Sequence, residues 1–318
     1  MPSRKIVYPD ADQAFADLLT GGRLNRLQAL GAFDIHYGRP ADDADYVGRI
    51  GDAGALMLGW DLPATVMAAA PNLEVIAFMG IGAGSFVDLG AARAHGITIC
   101  NTPGYADDTV AEHALALMLA AARHVPRLDR ALRAGQWDQS LVGVALKGKN
   151  LGIVGFGGIG RRLAELAHGI GMTVSAWTRT PETKPADGVR FMALAQVIAE
   201  CDVLSVNVAL TLETEGLIGA AEFAAMKPGV LLINTARGGV IDEALLIDNL
   251  ATGKIAAAGL DVFQTEPVPP DHALLALDNV VLSPHVAYNT PEANQRICDI
   301  SIENLTNYFA GRPSNVVT

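Results

Sequence analysis

Short apolar runs alternate with stretches of helical periodicity along the whole chain. Residues 5–8, 55–58, 73–78 and 97–100 read as strands in the first third. Between them, residues 10–30 read as helix broken at Gly21-Gly22, and residues 63–70 and 88–95 read as helices. A glycine loop, Gly80-Ile81-Gly82-Ala83-Gly84, follows the third strand. The turn-rich cluster Asn101-Thr102-Pro103-Gly104 marks a boundary. Past it, residues 109–134 carry an Ala/Leu-rich amphipathic pattern that predicts one long helix, a buried spine between domains. A second set of strands is predicted at 151–154, 173–177, 203–206, 230–234, 257–260 and 280–282, with a closing helix at 291–310. This rhythm predicts an α/β fold with parallel sheets and helices on their faces.

Composition narrows the class. The chain has 318 residues, about two domains' worth, and half of them are hydrophobic. Its formal net charge of −11 argues against nucleic acid or an anionic membrane as partner. Cys100, Cys201 and Cys298 are dispersed and odd in number, which predicts reduced, buried thiols and a cytoplasmic location. The first residues lack the apolar core of a signal peptide, and residues 110–122 are too short to span a bilayer. The histidines show no metal-ligand spacing, so no metal is expected. Residues 143–150 nearly spell a phosphate loop, but lack its closing Ser/Thr and precede a strand instead of following one.

The candidate chemistry begins at Gly155-Phe156-Gly157-Gly158-Ile159-Gly160. The run matches G-x-G-x-x-G, with a strand before it, a helix over 161–170 after it, and a second strand at 173–177. That context predicts a dinucleotide held by its pyrophosphate on a helix N-terminus. Roughly 20 residues past such a motif an NAD site has an acidic residue for the ribose 2′-hydroxyl. Here the sequence reads Thr178-Arg179-Thr180, a cation with no carboxylate, which favours the 2′-phosphate of NADP(H), with NAD as the alternative.

Three polar residues fall just beyond predicted strands: Arg237, Glu266 and His285. Open parallel sheets bind ligands outside the carboxyl ends of their strands, so the three are expected on the edge that holds the cofactor. Arg suits a substrate carboxylate and keto oxygen. His can give a proton to a developing alkoxide near neutral pH. A carboxylate beside it fixes its tautomer and favours the imidazolium. Hydride transfer between NADPH and a small 2-keto acid is the reaction these groups suit.

The chain resembles the D-isomer-specific 2-hydroxyacid dehydrogenase family, which includes glyoxylate/hydroxypyruvate reductases, phosphoglycerate dehydrogenases and formate dehydrogenases. The likeness is carried by Asn101-Thr102-Pro103-Gly104, Val110-Ala111-Glu112-His113-Ala114, and Leu146-Lys147-Gly148-Lys149 before the fingerprint. It continues in Asn234-Thr235-Ala236-Arg237-Gly238-Gly239, in Gly259-Leu260-Asp261-Val262-Phe263 with Glu266-Pro267, and in Ser283-Pro284-His285. The resemblance implies Arg237, Glu266 and His285 as catalytic residues. It implies that Thr235, Ala236, Arg237, Asp261 and His285 border the cofactor, with Asp261 on the nicotinamide amide. It implies that Gly82 and Ala83 join Arg237 and His285 at the substrate. It also implies a Rossmann-like cofactor domain, residues 102–289, inserted into a flavodoxin-like substrate domain, residues 1–101 and 290–318, and a homodimer. Two stretches depart from the family pattern, Val206-Asn207-Val208-Ala209-Leu210-Thr211 and the loop Val286-Ala287-Tyr288-Asn289-Thr290 after the candidate histidine. Two other functions fit the same motifs: an NAD-linked dehydrogenase of the phosphoglycerate dehydrogenase type, and a dinucleotide-sensing interaction protein similar to the C-terminal binding protein corepressors.

Overall fold

The computed structural model describes residues 4–180 and 186–318. The chain divides into two compact units, residues 1–105 with 290–318, and residues 106–289. Each holds one sheet whose paired strands all run parallel.

In the first unit the strands are β1 (Lys5–Ala11), β2 (Ala32–Tyr37), β3 (Ala55–Leu58), β4 (Val75–Phe78) and β5 (Thr98–Cys100), in the order β2-β1-β3-β4-β5. That is the flavodoxin-like order, with its change of direction between β1 and β3. β3 and β4 are buried at every position. Helices flank the sheet, and the closing helix Pro291–Phe309 brings Ile297, Cys298, Ile302 and Leu305 onto the face made by Ile6, Ala55, Val75 and Ala77. The C-terminal segment thereby completes the N-terminal unit's core.

In the second unit the strands are β6 (Asn150–Val154), β7 (Thr173–Trp177), β8 (Val189–Phe191), β9 (Val203–Val206), β10 (Val230–Asn234), β11 (Ile255–Leu260) and β12 (Val280–Leu282). Their order, β12-β11-β10-β9-β6-β7-β8, is the doubly wound dinucleotide-binding order with one added strand. The direction changes between β6 and β9. Both faces are covered, one by a cluster around Leu204, Leu232 and Phe223, the other by one around Ile153, Leu231 and Met118.

Several predicted bounds move. The long helix expected over 109–134 is two helices, Asp107–Ala122 and Val125–Arg133, parted at His124, whose φ is 52°. The first of them packs its Ala111, Ala114, Leu117, Met118 and Ala121 on the second unit's sheet. Small side chains bring it close: a Cβ at Gly259 of β11 would lie 2.8 Å from Leu117 Cβ. Gly21-Gly22 does not break a helix but opens the helix Gly21–Leu30, after a short helix Gln13–Ala16. The helix after the fingerprint begins at Gly158, three residues earlier than the periodicity predicts, and ends at Gly169. Strands β2 and β8 were not anticipated; both are sheet edges.

Candidate active site

The cofactor cradle is built at the change of direction between β6 and β9. β6 is buried throughout and delivers the chain into Gly155, whose φ of +99° only glycine adopts without strain. A side chain there would also meet the Asn207 carbonyl oxygen at 2.6 Å. At Gly160 a Cβ would collide with the Gly155 carbonyl, so the helix Gly158–Gly169 sits tight on the strand it follows. Gly157 is the opposite case: nothing lies within 4 Å of where its Cβ would be. That open space at the N-terminal end of a twelve-residue helix is where a pyrophosphate oxygen can reach backbone N–H groups. Phe156 is fully enclosed and stacks edge-on with Phe191 of β8, ring centroids 5.1 Å apart, while Ile159 packs against the same core.

β7 ends beside this turn, where Gly155 N donates to Trp177 O at 2.9 Å. Thr178, Arg179 and Thr180 follow directly. Arg179 is exposed and makes no ion pair among the described residues. Thr178–Thr180 thus present hydroxyls and a cation at the β6–β7 end of the edge, while Asp107 brings its carboxylate to Gly158 at the start of the helix.

β10 supplies the next group. Asn234 folds its amide over the turn, Oδ1 accepting from Ala236 N and Nδ2 donating to Arg237 O, each at 3.0 Å. Thr235 is 8% exposed, and its hydroxyl is buried without a hydrogen-bond partner among the described residues. An orphaned buried donor at this edge fits a bound cofactor supplying the missing partner. Arg237 is half-buried, with Nη1 donating to the Ala236 carbonyl at 2.7 Å. These groups and the open cradle together fit a nicotinamide dinucleotide.

The loops after β11 and β12 bring Glu266 and His285 together. Glu266 Oε1 accepts from the Phe263 amide at 2.9 Å, and Oε2 lies 2.7 Å from His285 Nδ1. Burial alone would raise the Glu266 carboxyl. The His285 hydrogen bond, the Phe263 amide and the charges of His285 and Arg237 outweigh it and hold the group below the usual range. Glu266 is therefore an anion at neutral pH. With Nδ1 committed to Glu266, His285 Nε2 makes no hydrogen bond among the described residues. Tyr288 stands edge-on to the imidazole, centroids 6.4 Å apart.

The loop that bears His285 is held by Asp261. Asp261, at the end of β11, is 0% exposed. Its Oδ1 accepts from Ser283 Oγ at 2.6 Å and Val286 N at 3.0 Å; its Oδ2 accepts from Ala287 N at 2.9 Å. Its carbonyl accepts from His285 N at 2.7 Å. Asp261 thus grips the loop on both sides of the histidine, whose φ of +54° is a left-handed conformation costing roughly 1–2 kcal/mol for a residue with a Cβ. His113 extends this network, with Nε2 2.8 Å from Ser283 Oγ. Nothing near His113 in the chain signals that link, because its partner is 170 residues away.

The second unit therefore brings the glycine turn, Thr178–Thr180, Thr235–Arg237, Asp261, Glu266 and His285 to one sheet edge. Gly82 and Ala83 lie in the first unit, in the loop after β4, where Ala83 is buried and opens a short 3-10 turn. Asn101 Nδ2 donates to the Ile81 carbonyl at 2.9 Å and steadies that loop.

Two doubly wound domains, a dinucleotide cradle and a His–Glu pair at the carboxyl edge define an NAD(P)-dependent oxidoreductase. The model of the D-isomer specific 2-hydroxyacid dehydrogenase NAD-binding domain matches residues 115–287. The chain is 39% identical over 279 residues to a glyoxylate reductase of Korarchaeum cryptofilum, covering 85% of this chain and 84% of that protein. It is 42% identical over 253 residues to a D-3-phosphoglycerate dehydrogenase of Archaeoglobus fulgidus, covering 79% of this chain but only 48%, about half, of that longer protein. Its fold superposes with a TM-score of 0.85 on an NADPH-dependent glyoxylate/hydroxypyruvate reductase from Sinorhizobium meliloti in complex with NADP and malonate, at 31% identity, over 99% of this chain and 97% of that one. This chain belongs to the D-isomer-specific 2-hydroxyacid dehydrogenase family. Among the described residues no helix is long and apolar enough to cross a membrane.

Proposed function

We propose that the protein is an NADPH-preferring 2-keto acid reductase, equally a D-2-hydroxyacid dehydrogenase in reverse, with glyoxylate or hydroxypyruvate as leading substrates. The observation that carries this reading is the His285–Glu266 pair at 2.7 Å, which leaves Nε2 available on the cofactor edge. The dinucleotide supplies a hydride to the keto carbon. His285 donates its Nε2 proton to the oxygen that becomes the alcohol. Glu266, anionic, holds the ring through Nδ1 and keeps Nε2 turned to the substrate. Arg237 pairs with the substrate carboxylate once its guanidinium leaves the Ala236 carbonyl.

The preference for NADPH rests on Arg179, an exposed cation after β7 where an NAD site carries an acid. The test is initial rates with NADPH and NADH against glyoxylate, hydroxypyruvate, pyruvate, phenylpyruvate and 2-ketogluconate. Fast turnover of one acid with NADPH is expected. In Arg179→Ala the KM for NADPH rises roughly 10–100-fold, the worth of a charge-assisted contact, while NADH changes little. Equal losses for both cofactors refute the 2′-phosphate assignment and favour the phosphoglycerate dehydrogenase-type alternative. Tight dinucleotide binding without turnover of any acid favours the sensing alternative.

The same reading includes a homodimer. The helix Val125–Arg133 has no buried residue and leaves Leu132 58% exposed, and in the segment after it Trp137 and Val142 are 79% and 86% exposed. Large exposed apolar side chains so close together in the chain are suited to burial against a second copy.

A further inference from the structure

We propose that His113 is a positioning residue for the reaction, acting through Ser283 and Asp261 on the loop that carries His285. The proposal rests on the acid–base role of His285 given above.

Donor–acceptor accounting fixes the direction of the chain of hydrogen bonds. The Asp261 carboxylate can only accept, so the Ser283 hydroxyl spends its single proton on Oδ1 at 2.6 Å. Ser283 Oγ is then the acceptor toward His113, and His113 must carry its proton on Nε2, 2.8 Å away. That same nitrogen is 3.6 Å from Asp261 Oδ1. Three N–H and O–H groups, from Ser283, Val286 and Ala287, thus converge on one enclosed carboxylate, and His113 donates to the hydroxyl that makes the first of these bonds. A carboxylate at 0% exposure is tolerated only when so satisfied.

The consequence for His285 is geometric. Ser283 precedes it by two residues, and Val286 and Ala287 follow it directly. All three are tied to the same carboxylate, and the strained backbone at φ +54° lies between them. His113 stands on the helix Asp107–Ala122, which is packed on the sheet through Ala111, Ala114 and Leu117. It therefore anchors the loop to a rigid element, the helix that packs on β11. Losing the anchor frees the Ser283 hydroxyl to rotate and lets the imidazole wander. A misplacement of about 1 Å costs on the order of 10²-fold in rate without touching the chemistry's own groups.

The test compares His113→Leu, His113→Gln and Ser283→Ala with the wild type. Three readouts are taken: kcat and KM for the preferred 2-keto acid, dinucleotide Kd by fluorescence titration, and amide hydrogen exchange across residues 284–288. His113→Leu should lower kcat by 10-fold or more, leave dinucleotide Kd within about twofold, and speed exchange in the loop. His113→Gln should recover most of kcat, since its amide N–H can reach Ser283 Oγ. Combining His113→Leu with Ser283→Ala should cost little more than the larger single loss, because both cut the same chain. Three results each overturn the proposal: kcat in His113→Leu within twofold of wild type, a His113→Gln as impaired as His113→Leu, or additive losses in the double variant. If His113→Leu does not fold, Ser283→Ala decides by the same kcat and exchange criteria. If the wild type reduces no 2-keto acid, the catalytic reading falls, yet unchanged loop exchange in the variants would still refute the anchoring separately.

Discussion

Asp261 is the side chain on which the geometry of the candidate site converges, and its removal gives a prediction with a worked size. Asp261→Ala strands three donors: Ser283 Oγ, Val286 N and Ala287 N. An unsatisfied buried donor costs about 1–3 kcal/mol. Ala287 N is buried and takes the upper part of that range, about 2 kcal/mol, whereas Ser283 and Val286 are partly accessible and rehydrate at about 1 kcal/mol each. The sum is about 4 kcal/mol, reduced somewhat because the variant no longer buries a carboxylate. Asp261→Asn is milder. Its amide oxygen keeps Ser283 and Val286 on the Oδ1 side, while its NH₂ faces Ala287 N and loses one bond, about 1–2 kcal/mol. The cost is local, so the assay is native-state amide exchange at Ala287. A loss of about 4 kcal/mol corresponds to roughly 10³-fold faster exchange, and about 1–2 kcal/mol to roughly 10-fold. The rate of 2-keto acid reduction should fall in the same order, Ala below Asn below wild type. Unchanged protection at Ala287 in Asp261→Ala, or an Asn variant as damaged as the Ala variant, would refute the reasoning.

Two further outcomes are expected. Asp10, at the end of β1, accepts from Gly59 N at 3.1 Å and Trp60 N at 2.7 Å, yet burial pushes its carboxyl up to about 6 despite those amides. Because the folded value is raised for an acid, the uncharged form is the favoured one: its stabilisation is present below the ordinary carboxylate range and is lost as pH rises toward about 6. Comparing urea midpoints of wild type and Asp10→Asn between pH 4 and 7 should show a wild-type loss of at most roughly 3 kcal/mol that the variant lacks; identical slopes would contradict it. Light scattering should give twice the chain mass of 33.3 kDa for the wild type, with Trp137→Glu combined with Val142→Glu shifting the protein toward one chain mass; a wild-type monomer at micromolar concentration would rule out the dimer.

What was legible in the sequence was what a few consecutive residues encode. The phosphate cradle is six residues long, and three of its four glycines answer separate demands: a positive φ at Gly155, open space at Gly157, contact with the strand at Gly160. Arg237, Glu266 and His285 could be placed because a parallel sheet turns "just after a strand" into "on the ligand edge". Edge strands were less legible. β2, with Asp34 and His36 in it, pairs only with β1 and is half exposed, so no apolar run announces it. Gly21-Gly22 misled because glycine suits a helix N-terminus as well as a break. The break at His124 had a signal, Pro126 in the first turn of the second helix, but the Ala/Leu pattern on either side masked it.

The part of the site with no local signal is also the part that decides its precision. Glu266 and His285 are 19 residues apart and sit on adjacent loops, so their pairing follows from strand order alone. Ser283, Asp261 and His113 come from a strand end, a neighbouring strand end and a helix in another part of the chain. Any single one of them reads as an ordinary polar residue, and His113, taken alone, reads as structural. Their function exists only as an arrangement: one carboxylate with enough donors to stay buried, and a loop strained enough to need it. A chain that kept Arg237, Glu266 and His285 but replaced His113 by an apolar residue would show the same motif set with a looser imidazole. Rates within the family should then track the donors around Asp261 as well as the catalytic residues themselves.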